Sequence, residues 1–258
     1  MASLELFLTG RFIVFTLVLA RISGMIIIAP IFGTLSLPRQ VRAFLAVAIA
    51  LLVTPVYLNT SLPPVTELAT YGRLMANEVA IGLLLGLGVT IMFSGIQVAG
   101  QIVSQMSGLS LSDVFDPGFD ENVSMFTNLF HMLTMAVFVA IGGHRIMIEA
   151  VLKTFNWAPP GHAVLGETYV DVLTNLMTQS FALGIHAAAP LLIALFLSTI
   201  VLGLIGRTLP QINIIAVGFG INSLLTLAMT LLSLGAIAWT FQEPTIEALR
   251  TLQDMWRP

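Results

Sequence analysis

The 258-residue chain is 57% apolar and only 9% charged, with a net charge of −3 and no cysteine, and its mean hydropathy is +0.97. Soluble domains carry about 25% charged residues, so this composition excludes disorder and an ordinary cytosolic enzyme and points to a chain solvated by lipid or by other apolar subunits. Ten Lys and Arg spread along the sequence form no basic patch, which excludes a nucleic-acid surface, and the missing cysteines exclude disulfide frameworks and thiolate sites.

Six apolar stretches follow, at roughly 12–33, 43–58, 74–100, 125–148, 172–206 and 212–240. About 20 apolar residues cross a hydrocarbon core. The second stretch is marginal by that measure, and the fifth is long enough for a helix plus a break or for a helical hairpin. None alternates as a barrel strand does. Backbone groups in an apolar medium must be satisfied within their own segment, so the expected fold class is all-α and membrane-integral.

The first stretch has no basic residue in Met1–Glu5 and reads as a retained helix rather than a cleaved leader. It carries Arg21 in mid-run. Pro30 and Pro38 bracket the first turn, and Pro63-Pro64 precede the third stretch. There Glu78 is a second charge in an apolar run. Such charges are expensive in a bilayer, so they face protein or a polar cavity: an ion or proton path on one reading, a structural pair on the other. Gly82, Gly86, Thr90 and Ser94 recur every fourth residue, with Gly88 and Gly95 widening the smooth surface. Small residues on one helix face allow close approach, so this face is a candidate subunit interface.

The linker at roughly 101–124 is unusual. It has no Lys or Arg, holds Asp113, Asp116, Asp120 and Glu121, and mixes them with Met106, Gly108, Leu109, Leu111, Val114, Phe115 and Phe119. A long connection of this kind is often functional. Further on, Gly142-Gly143 precede His144 at an expected helix end, Pro159-Pro160-Gly161 mark the next linker, and Pro210 separates the last two stretches. One compact helical domain accounts for the pattern.

The four histidines show no metal-ligand spacing, and no nucleophile elbow or complete nucleotide fingerprint occurs. No catalytic, cofactor or metal site is expected. Twelve Met residues read as deformable core filler, with a compliant seal around a conduit as the sharper alternative. If the stretches simply alternate across a bilayer, Arg39, Arg42 and Arg207 fall on one side and Arg11, Arg73, Arg145, Lys153, Arg250 and Arg257 on the other. That weakly places both termini in the cytoplasm.

Several strings then coincide. Gly100-Gln101-Ile102-Val103-Ser104-Gln105-Met106-Ser107-Gly108-Leu109-Ser110-Leu111, continuing to Val114-Phe115-Asp116-Pro117, resembles the central segment of the FliR family of type III export-gate proteins. Pro30, Pro38 and Arg42 resemble its first linker, and the run from Glu78 to Gly86 its third-helix signature. Gly142-Gly143-His144, Thr154-Phe155 and Pro159-Pro160-Gly161 fit its middle. Ala189-Pro190 and Gly206-Arg207-Thr208-Leu209-Pro210-Gln211-Ile212-Asn213 fit its C-terminal part. Two departures stand out: Gly220-Ile221-Asn222 replaces a Pro-Leu-Lys run, and Gln105-Met106-Ser107-Gly108 replaces Gln-Met-Gly.

The resemblance implies a non-enzymatic gate subunit of the flagellar basal body in the bacterial inner membrane. Its implied partners are FliP, FliQ, FlhB and FlhA, with unfolded flagellar proteins as cargo. It implies a FliP-like part over about 1–170 joined to a FliQ-like hairpin over about 171–258, packed in a pseudo-helical assembly. It also implies a plug loop over about 105–120 holding Gln105, Met106, Ser107, Gly108, Leu109, Ser110, Leu111, Phe115, Asp116 and Pro117. The rival readings are the related injectisome subunit, which the sequence separates poorly from a flagellar one, and a secondary transporter. A transporter would usually carry repeated halves and midplane ionisable groups.

Overall fold

A computed structural model describes residues 2–33, 38–58, 67–108, 124–162, 168–211 and 213–254. The described residues form seven α-helices, one short 3-10 turn and no strand. In chain order the helices are α1 (Ala2–Ile28), α2 (Arg39–Val53), α3 (Leu68–Ser107), α4 (Met125–Ala140), α5 (Gly143–Trp157), α6 (Thr168–Thr208) and α7 (Ile214–Asp254), with the 3-10 turn Thr54–Tyr57 closing α2. The protein is all-α.

Five helical segments are long and apolar enough to cross a membrane, and α4 with α5 would make a sixth. That pair is bent by 65° inside one apolar stretch, at the Gly142-Gly143 position where the sequence placed a helix end. Gly142 adopts φ +73° there as the residue preceding α5, a left-handed conformation that a side chain would oppose. Conversely, the fifth stretch contains no break. α6 runs 41 residues through Pro190, and α7 runs 41 residues through Pro244. A proline removes one ladder bond and adds a local clash, and a long apolar helix held by its remaining bonds absorbs both.

The chain packs as two compact units, each assembled from stretches far apart in the sequence. The first comprises residues 1–91, 142–176 and 246–258. In it Met25 of α1, Leu85 and Val89 of α3, Met147 of α5 and Leu249 and Leu252 of α7 close around a void of only about 10 Å3, at the lower limit for one water. The second comprises residues 92–141 and 177–245. Its centre is Phe93 of α3, whose ring meets Phe138 of α4 and Phe241 of α7 edge-on, with centroids 5.3 and 5.4 Å away. That geometry places positive ring edges on a negative ring face. Both units therefore use α3, and 61% of its most apolar window is buried, against 22% for α6 and 17% for α7. α3 is the most buried of the three long helices, whereas α6 and α7 expose much of their apolar surface.

Candidate functional site

The two charges singled out in apolar runs find each other. Arg21 Nε donates to Glu78 Oε2 at 2.6 Å, and both side chains are fully buried. The remaining polar atoms of the pair are also used. Arg21 Nη1 donates to Thr154 Oγ1 at 3.0 Å and Nη2 to the Ala158 carbonyl at 2.9 Å, while Glu78 Oε1 accepts from the Gly161 N–H at 2.8 Å. The Phe155 ring lies 4.1 Å from the guanidinium carbon, a cation–π contact strengthened by the absence of water. The guanidinium is thus held on its edge by carboxylate, hydroxyl and carbonyl, and on its face by an aromatic ring. A fully satisfied buried pair is a rigid brace. It joins α1 and α3 to the end of α5 and to the Pro159-Pro160-Gly161 turn. Of the two readings open in sequence, a proton path or a structural pair, this geometry supports the second.

The small-residue face of α3 is occupied within the chain. A Cβ on Gly82 would collide with the Arg21 backbone carbonyl of α1, and one on Gly86 would come within 2.9 Å of the Met25 carbonyl oxygen. Gly24 answers from α1, where a Cβ would lie 2.6 Å from the Val79 carbonyl. Thr90 Oγ1 donates to the Ile28 carbonyl at 3.0 Å, and Ser94 is exposed. Gly82 and Gly86, read from sequence as an interface toward another subunit, therefore seat α1 of the same chain. A second crossing escaped the sequence reading. In the second unit Gly95 of α3 and Gly184 of α6 face each other, and a Cβ on Gly184 would run into the Gly95 carbonyl.

The expected plug segment is described only at its start. Gln105, Met106 and Ser107 form the last turn of α3 rather than a loop, so the connection begins at Gly108, with φ +80°. Ser107 is fully buried, and its hydroxyl donates to the Ser104 carbonyl at 2.8 Å. Leu109, Ser110, Leu111, Phe115, Asp116 and Pro117 lie outside the described residues. Gln105, Met106 and Gly108 line a cleft of about 340 Å3 with Thr199 of α6 and Phe219 and Asn222 of α7. Asn222, the position that departs from the family's Lys, accepts from Ser198 Oγ at 2.6 Å. The histidines stay apart: His131 Nδ1 lies 2.8 Å from Gln97 Nε2, and among the described residues no three His, Asp or Glu side chains gather to hold a metal.

A sequence profile of the family described as bacterial export proteins, family 1, matches residues 12–247. The chain belongs to this family. Similar relatives are each named flagellar biosynthetic protein FliR. The protein of Caulobacter vibrioides is 29% identical over 226 residues, covering 87% of this chain and 90% of the relative. That of Aquifex aeolicus is 28% identical, covering 85% and 84%, and that of Escherichia coli 28% identical, covering 83% and 81%. The export family is a structural class rather than an enzymatic one. Its match spans both the Arg21–Glu78 brace and the α3–α6 crossing. The helical, apolar build agrees with a membrane component of an export apparatus.

Proposed function

We propose that this protein is a structural and gating subunit of a flagellar type III export gate in the bacterial inner membrane. In this reading it forms the channel wall with FliP and FliQ, FlhB and FlhA associate with the assembled gate, and unfolded flagellar proteins pass through. The names of the relatives support the flagellar setting. One observation carries the gate-wall reading. α3, α6 and α7 have 40, 41 and 41 residues, or about 60 Å at 1.5 Å per residue, against a hydrocarbon core of about 30 Å. A tilt of up to about 40° does not absorb a twofold excess. Yet α6 and α7 stay apolar, exposing Phe181, Ile193, Phe196, Leu224, Leu231 and Trp239. Surface of that kind outside the bilayer needs protein neighbours. The α6–α7 pair corresponds to the FliQ-like hairpin, and α1–α5 to the FliP-like part.

Two outcomes test this reading. Co-expressed with FliP and FliQ, the chain co-purifies as a stable complex, and made alone in detergent it unfolds at a lower temperature than in that complex. A monodisperse solitary chain that ignores both partners would overturn the assignment. The plug assignment is tested separately by deleting residues 109–116, which spares the buried end of α3. The assembled gate then leaks ions, and unchanged leak from an intact complex would remove the plug.

A further inference from the structure

Between α1 and α2, in the first unit, lies a cleft of about 340 Å3 lined by none of the brace residues. Its walls are apolar, formed by Ile26 and Ile27 of α1 and Ala43 and Ala46 of α2. Arg39 and Arg42, in the first turn of α2, also line it. Neither arginine has an acidic partner among the described residues. In sequence, the four residues just before Pro38 and Arg39, 34–37, include no acid. The same end of α2 has no side-chain cap and no acid in its first turn, so its backbone dipole adds to the positive field. Apolar surface continues outward, with Ile27 61% exposed and Phe44 75% exposed.

We propose that this cleft binds an anionic glycerophospholipid, its phosphate held by Arg39 and Arg42 and an acyl chain laid between α1 and α2. Three features converge on that occupant. The segment Arg39–Tyr57 is long and apolar enough to span a membrane, and a helix of that length crossing a bilayer would set its first turn where hydrocarbon gives way to headgroups. Two unpaired guanidiniums match a phosphate in geometry and charge. Apolar walls directly below them suit an amphiphile rather than a free ion, and basic pockets between membrane helices favour anionic headgroups.

The test uses the full-length chain, stripped of lipid in a neutral detergent and titrated with phosphatidylglycerol, phosphatidylcholine or inorganic phosphate, with binding read by native mass spectrometry. At about a fivefold gain per basic residue near the headgroup, phosphatidylglycerol should bind about 25-fold tighter than phosphatidylcholine. The double variant Arg39→Gln/Arg42→Gln should lose that preference. Ala43→Trp, at an exposed position, keeps both cations but fills the cleft, and it should weaken phosphatidylglycerol as well. Inorganic phosphate should not displace the lipid. An unchanged preference in the double variant, full binding by Ala43→Trp, or displacement by phosphate would each overturn the proposal. If the double variant misfolds, Ala43→Trp decides alone.

Discussion

Replacing Glu78 with Leu should remove about 3–5 kcal/mol of stability, because it leaves the Arg21 guanidinium buried without its counter-charge. The loss extends beyond the pair. Glu78 also accepts from the Gly161 N–H, so the turn after α5 loses its anchor, and an unsatisfied buried donor is itself costly. Arg21→Met alone should be similarly damaging, since it strands the carboxylate and frees Thr154 and Ala158. The double variant Arg21→Met/Glu78→Leu, apolar throughout, should recover most of the loss, as buried pairs exchanged for hydrophobic residues often do. Thermal unfolding of the four proteins in one detergent closes the cycle. Single variants as stable as the parent would mean that the brace is idle. A double variant no better than the singles would mean that the polar network matters for more than charge balance.

The second large effect is expected at the glycine crossings. Gly82→Ala and Gly184→Ala each place a methyl group against a backbone carbonyl, of Arg21 and Gly95 respectively. Backbone cannot rotate aside as a side chain can, so the helices must separate and lose the contacts flanking the crossing. We expect about 3 kcal/mol or more, the top of the range for overpacked cores. Gly235 in α7 is the internal control, because nothing lies within 4 Å of a Cβ there. Gly235→Ala should leave stability unchanged or raise it by up to about 1 kcal/mol through helix propensity. Protease resistance of the purified proteins reads both effects, and equal behaviour of all three variants would refute the close-crossing account.

Much of the fold was legible because apolar runs of this length have few options. All six stretches are helical, and Pro38 and Pro210 sit at or between helix ends as read. The errors have physical causes. Hydropathy alone merges the flanks of Gly142 into one stretch, since both are apolar; the Gly142-Gly143 pair is what marked the helix end there. The fifth stretch, long enough for a break or a hairpin, is one helix instead, because a proline such as Pro190 is a weaker breaker inside a 41-residue apolar helix than in water. α7 also continues to Asp254 past Glu243, Glu247 and Arg250, where an apolar scan stops at 240.

The sites show the same division. Arg21 and Glu78 declared themselves as charges in the wrong medium, and so were found singly. Their meeting, 57 residues apart, and the roles of Thr154, Ala158 and Gly161 depend on how α1, α3 and α5 cross. No spacing rule encodes that. Gly82 and Gly86 were recognised as a contact face, but sequence cannot say whether the contact is with another chain or its own. Gly184 went unnoticed because its reciprocal partner, Gly95, lies 89 residues away, and one glycine in an apolar helix carries no pattern.

Helices twice the thickness of a bilayer pose a problem from the moment of synthesis. In the proposed gate, a newly inserted copy would hold greasy rods that lipid cannot fully sheathe until other subunits arrive. Orphan copies should therefore be short-lived in the cell, cleared by quality-control proteolysis or lost to clumping. Production of this protein should then be geared to that of its neighbours, and an excess should harm the cell even when no cargo is being moved.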